Sequence, residues 1–128
     1  MDLNQQPMEI QIKQKVSGQE LSHLLVGAIE GGSNYWYGDV RFDFPDRTSG
    51  EMYDDAFARC IDAGLDFNIH FDTEDGIFIL NTSKVVSGCM SMARENSEHW
   101  SDFINDNHDA ITADVWLQHC LFNEVVYG

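Results

Sequence analysis

Between Leu65 and Leu80 the apolar residues Leu65, Phe67, Ile69 and Phe71 alternate with Asp66, Asn68, His70 and Asp72, and Thr73-Glu74-Asp75-Gly76 then leads into Ile77-Phe78-Ile79-Leu80. Alternation with period two puts one set of side chains on each face of a strand, and an Asp-Gly step supplies the tight turn that antiparallel neighbours need. This stretch therefore predicts a β-hairpin whose first strand turns its polar row, Asp66 and Asp72 included, to solvent. Any fold for the chain must cover the other row.

Helical elements supply the cover. Ser17 and Glu20 have the spacing of a capping box, Val16 and Leu21 can form the hydrophobic staple, and Leu21, Leu24, Leu25, Ala28 and Ile29 recur at helical steps. These signals predict a helix over Gly18–Glu30, stopped by Gly31-Gly32 in the usual C′ manner. Upstream, Met8, Ile10 and Ile12 alternate with Glu9, Gln11 and Lys13 as a half-buried strand does, after a short flexible leader, Met1 to Pro7. Downstream, Val40, Phe42 and Phe44 alternate with Arg41 and Asp43 before Pro45, which predicts a second strand. A short helix over Asp54–Ala63 is expected next. Three helices should close the chain: one capped by Thr82 or Ser83 and running to about Arg94, one over roughly Glu98–Asn105, and one capped by Thr112 and ending near Asn123. The order is that of a single α+β domain over residues 1–128, with a mainly antiparallel sheet of three or four strands packed by helices on one face.

With 128 residues, 43% of them apolar, and eight Phe, three Trp and four Tyr, the chain can bury a core without disulfides or metals. Cys60, Cys89 and Cys120 are odd in number and sit among apolar neighbours, as buried thiols in a reducing cytoplasm do. The first ten residues read as neither signal peptide nor anchor, and no run approaches the roughly 20 apolar residues of a spanning helix, so a soluble protein is expected.

Charge narrows the choice of partner. The formal net charge is −15, from 22 acids against seven Lys and Arg. Residues 39–75 hold eleven acids and three arginines, and residues 95–128 hold seven acids and no Lys or Arg. Direct binding to nucleic acid or to an anionic membrane is disfavoured, because each phosphate contact asks for a cation. The one-sided lobes instead suit a cationic partner. Asp39, Asp43, Asp66 and Asp72 in the first lobe, and Glu95, Glu98, Asp102, Asp106 and Asp109 in the second, are the candidate contacts. The second set recurs every three or four residues, a spacing that costs some tenths of a kcal/mol of mutual repulsion per pair on a helix. Spaced carboxylates can imitate phosphates in a Lys/Arg groove; the plain alternative is an over-charged solvated surface.

Chemistry-bearing motifs are sparse. His23, His70, His99, His108 and His119 show no metal-ligand spacing, the Asp72-Glu74-Asp75-Gly76 stretch lacks the rest of a calcium loop, and no phosphate-binding or nucleophile-elbow motif occurs. No cofactor, no metal and no catalysis are expected. Asn34, Tyr35, Trp36 and Tyr37 form an aromatic corner between glycines, either a packed corner of the core or a contact surface.

The strings Glu30-Gly31-Gly32-Ser33-Asn34-Tyr35-Trp36-Tyr37, Asp109 through Val115, and Glu124-Val125-Val126-Tyr127-Gly128 resemble a family of small bacteriophage and prophage proteins. The resemblance covers the first helix with its corner and most of the C-terminal third, and leaves residues 39–64 unmatched. It implies a phage accessory protein in the host cytoplasm. Joined to the acidic lobes, it looks like a counter-defence inhibitor of the anti-CRISPR kind, blocking a basic groove of a host effector complex. Two other readings compete. One is a small-molecule-binding or enzymatic accessory protein that uses the aromatic corner with a His or Cys. The other is a structural or regulatory protein that self-associates, for instance as a homodimer.

Overall fold

The computed structural model describes residues 7–128, so the leader expected over Met1–Pro7 lies, apart from Pro7, outside the described residues. In chain order the elements are α1 (Gly18–Gly27), a π-helical turn (Ala28–Gly32), β1 (Tyr37–Asp43), α2 (Tyr53–Ala63), β2 (Asn68–Thr73), β3 (Gly76–Leu80), α3 (Thr82–Glu95), α4 (Ser97–Ile104) and α5 (Ala110–Phe122). The fold is α+β, with one three-stranded antiparallel sheet in the order β1-β2-β3. Among the described residues no helix is long and apolar enough to cross a membrane.

The hairpin forms as its alternation requires. Thr73 pairs with Gly76 across the Glu74-Asp75 turn, Ile69 and Phe71 are buried, and Asn68 and Asp72 face out. Asp66 falls before the strand rather than on it. Its carboxylate accepts from the backbone N–H of Phe67 at 3.0 Å and of Thr82 at 3.3 Å, tying the entry of β2 to the start of α3.

The capping box at Ser17 is complete, with Glu20 N–H donating to Ser17 Oγ at 3.1 Å and Ser17 N–H to Glu20 Oε1 at 3.2 Å. Two other caps sit earlier than the sequence predicts. Asn81 caps α3 by accepting from Lys84 N–H, and Asp109 caps α5 by accepting from Thr112 N–H, so Thr82 and Thr112 lie inside their helices. An amide or carboxylate oxygen reaches the N3 donor at least as well as the threonine hydroxyl expected for that role.

Two expectations fail. Gly31-Gly32 do not end α1 at a left-handed residue; the chain winds on through a π turn, and the Ser33 N–H donates to Ala28 O at 2.8 Å. Gly32 serves proximity instead: a Cβ on it would run into the carbonyl oxygen of Ala110, whereas one on Gly31 would meet nothing. The segment Met8–Lys13 forms no strand, because among the described residues no neighbouring strand offers it backbone partners. Its alternation describes an extended segment, and pairing is a property of what lies beside it.

α5 is the central element. Ten consecutive residues, Thr112–Leu121, are buried, so this helix is enclosed on all sides rather than on one stripe. α1, α3, α4, the π turn and β3 pack against it. α3 reaches it most closely at Gly88, where a Cβ would stand 2.5 Å from Cys120 Cα. The core, including Phe57, Phe67, Ile69, Phe71, Met92 and Trp116, fills the space between this helical layer and the inner face of the sheet.

Candidate functional site

A helix enclosed on all sides has no room for an unpaired charge, yet α5 carries Asp114, which is 8% exposed. Its carboxylate is met by four donors. Ser33 Oγ donates to Oδ1 at 2.8 Å and Trp36 Nε1 to Oδ1 at 2.8 Å; Tyr35 OH donates to Oδ2 at 2.7 Å and Gln118 Nε2 to Oδ2 at 3.1 Å. Gln118, one turn along, holds the C-terminal segment: its Oε1 accepts from Val126 N–H at 2.8 Å and Tyr127 N–H at 2.7 Å, and its Nε2 also donates to Tyr127 O at 3.1 Å. Tyr127 then lies flat on Trp36, with ring centroids 5.2 Å apart and planes 2° from parallel.

The strings Glu30–Tyr37 and Glu124–Gly128, distant in sequence, therefore meet around one buried carboxylate. Asp114 is one of the seven acids of residues 95–128, and the structure places it inside rather than on the acidic surface. It locks the corner to α5 and to the chain end. The sequence carried a signal for this: an acid flanked by Ala113, Val115, Trp116 and Leu117 needs internal donors, and Ser33, Tyr35 and Trp36 are a run of them.

The corner divides. Trp36 and Tyr37 are core residues, Tyr37 packing edge-on to Phe71 and donating to Ile29 O at 2.8 Å, whereas Asn34 and Tyr35 are exposed. Burial of its ring edge, and then the bond to the Asp114 carboxylate, push the Tyr35 hydroxyl up to about 12. Beside it runs a groove of about 520 Å³ walled by Gly31, Tyr35, Ile111, Val125 and Tyr127. Every polar atom of Asp114 facing this groove already has an internal partner, so the wall offers shape and an aromatic edge rather than a reactive group.

The acids form a separate pattern. On the solvent face of the sheet, Asp39 is registered directly opposite Asp72, Arg41 opposite His70 and Asp43 opposite Asn68. All three aspartates are exposed, and none forms an ion pair; among the described residues only Glu51 with Arg59 and Glu95 with Arg94 do. Like charges directly opposite on neighbouring strands destabilise a sheet. Glu98 and Asp102 are exposed on α4, one turn apart, and Asp106 follows in a left-handed conformation with φ 59°. α4 packs chiefly on α3 and α5. Three candidates already have partners, Glu95 pairing with Arg94 at 3.1 Å. Asp66 holds the loop described above, and Asp109 accepts from Thr112 N–H at 2.9 Å; these backbone bonds keep both carboxyls below the usual range.

Nucleophile chemistry finds no support. Cys60 and Cys120 are buried, and burial pushes the Cys89 thiol up to about 11 while it accepts from Trp116 Nε1 at 3.4 Å. Ser91 Oγ, His119 and Asn96 do form a row, at 2.8 Å to Nδ1 and 2.7 Å from Nε2. Ser91 is 1% exposed and its hydroxyl also donates to Asn123 O, so no substrate carbonyl can approach it. The row braces α3 and the α3–α4 junction to the end of α5. Among the described residues no three His, Cys, Asp or Glu side chains are grouped to hold a metal ion.

Compared with protein-family models, with curated proteins and with solved structures, the chain matches none of them.

Proposed function

We propose that the protein is a non-enzymatic inhibitor of phage origin that docks the outer face of its sheet, and the α4 carboxylates, onto a Lys/Arg-rich nucleic-acid groove of a host defence complex, a CRISPR effector being the partner that fits best. One observation carries the reading. Asp39 and Asp72 stand cross-strand with no cation between them, an arrangement that costs stability in the free protein and is relieved when a positive surface closes over it. Arg41 in the same row leaves the face net negative and gives it a pattern rather than a uniform charge. The setting, a phage protein in the host cytoplasm, rests on the resemblance of the Glu30–Tyr37 and Glu124–Gly128 strings alone.

The experiment is capture of host proteins with the tagged chain at low salt, followed by elution as salt rises. The reading expects a nucleic-acid-binding complex that elutes with salt, because exposed charge pairs are screened within about 8 to 10 Å at ordinary ionic strength. Lysine at Glu98 and Asp102 together should weaken capture at unchanged thermal midpoint. Asp106 is a poorer probe, since its left-handed backbone favours Asp and Asn over Lys. Capture that ignores both salt and these substitutions would remove the acidic face from the account.

The groove beside Tyr35 favours a second reading, a small apolar ligand held at the corner. Trp36 is core, so its loss would unfold the corner; Tyr35→Ala is the informative variant, and ligand retention lost at full stability would support this reading.

A further inference from the structure

Two unpaired features of this fold are complementary. The first is the segment Met8–Lys13. It lies outside every helix and strand, it carries an apolar row whose exposure is 84% at Met8, 72% at Ile10 and 85% at Ile12, and among the described residues it makes no ladder with any strand. A row of three large apolar side chains held in water is unfavourable by roughly 1.5–3 kcal/mol each relative to burial. The segment is rooted rather than loose at its far end, where Gln14 Oε1 accepts from Trp100 Nε1 at 2.9 Å and Val16 packs on the core.

The second feature is the free edge of β1. Among the described residues β1 pairs only with β2 and no helix packs broadly against it, whereas β3, at the opposite edge, is met by α5. A bulge at Gly38 interrupts one end of β1 and leaves Asp39–Asp43 regular. Along that length Val40 and Phe42 point toward the core yet stay half-exposed; Phe42 is covered on one side by Tyr53 of α2, at 4.7 Å between ring centroids. A bare edge of regular strand with half-covered apolar side chains is a template for one more strand.

We infer that the protein forms a homodimer by strand exchange, the Met8–Lys13 segment of each copy adding to the β1 edge of the other. The lengths agree: six residues of arm against five regular residues of edge. Faces agree as well, since one register parity sets Met8, Ile10 and Ile12 beside Val40 and Phe42 on the core side while Glu9, Gln11 and Lys13 lie in the outer row. So do the charges. The arm and its root carry Lys13 and Lys15 against one acid, Glu9, while the edge carries Asp39 and Asp43 against Arg41, with Asp72 next to it. Exchange about a two-fold axis makes the contact twice, which helps the pair reach the roughly 1,000 Å² that separates specific interfaces from incidental ones. It extends each sheet to four strands and sets Lys13 at the rim of the acidic outer face, next to Asp39 and Asp43.

Sedimentation of the full chain over a wide concentration range tests this. The expected result is a concentration-dependent rise from 14.6 kDa to twice that mass. Ile10→Asp, at a side chain that touches no core, should raise the dissociation constant at least about tenfold and leave the thermal midpoint of the dilute monomer unchanged. Val40→Asp blocks the edge instead of the arm. Mixing the two variants, each monomeric alone, should restore a one-armed heterodimer, an outcome that dimers built on any other surface do not give. A chain that stays at 14.6 kDa at all concentrations, or a dimer indifferent to Ile10→Asp, overturns the inference.

Discussion

Replacing Asp114 by alanine strands the donors that converge on it, and the structure says which of them can recover. Tyr35 is 58% exposed and can turn its hydroxyl to water, and Gln118 keeps its bond to Tyr127 O. Ser33 is fully buried, and the Trp36 indole is clamped between Tyr127, Phe122 and Tyr37, so its N–H has nowhere to go. A stranded buried donor costs about 1–3 kcal/mol, and two of them, less the desolvation that the carboxylate no longer suffers, give a loss of about 3 kcal/mol. For a chain of this size that is a fall in Tm of about 10 °C. Thermal unfolding followed by near-ultraviolet circular dichroism reads both the midpoint and the Trp36–Tyr127 stack. Tyr35→Phe removes one exposed donor and should cost under about 1 kcal/mol. If Asp114→Ala stays within about 1 kcal/mol of the parent, or Tyr35→Phe costs as much as it does, the carboxylate is not the lock of the corner.

Gly88→Ala places a methyl against the backbone of Cys120 and should destabilise by about 1–3 kcal/mol, measured by denaturant midpoint; a neutral result would mean that α3 and α5 can separate freely. Burial holds the pKa of His119 below its ordinary value. The unfolded chain therefore binds a proton that the folded one does not, and stability should begin to fall as pH drops below about 6.5, with further loss in the acid range as the low Asp66 and Asp109 carboxyls protonate. A stability profile flat from pH 7.5 to 5 would contradict this. Asp72→Lys converts a like-charge pair with Asp39 into an opposite one and should raise stability by about 0.2–1 kcal/mol while weakening partner capture, a combination that a purely solubilising surface would not produce.

Local signals were read well because local physics decided them. The alternation of 65–80 and the Ser17–Glu20 box each name an element through contacts made within a few residues, and both elements formed. What escaped was decided by neighbours far along the chain. Met8–Lys13 has the pattern of a strand, but no pattern says whether an edge stands beside it. Gly31-Gly32 look like a helix stop, and only the approach of Ala110 shows that Gly32 is there for lack of a side chain. A count of acids treats Asp114 and Asp102 alike, although one is enclosed by four donors and the other lies in water. The acids of the sheet face were identified correctly as exposed, except that Asp66 serves the loop and not the strand. Their opposition across β1 and β2 depends on register, which composition does not contain.

Target-DNA binding by a purified CRISPR effector complex, measured with and without the protein and with its Asp72→Lys variant, tests the central claim most directly. The account predicts that the parent chain displaces DNA in a salt-sensitive manner and that the variant, equally well folded, displaces it markedly less. DNA binding unaffected by the chain in every effector that it co-purifies with, or equal displacement by the variant, would contradict it.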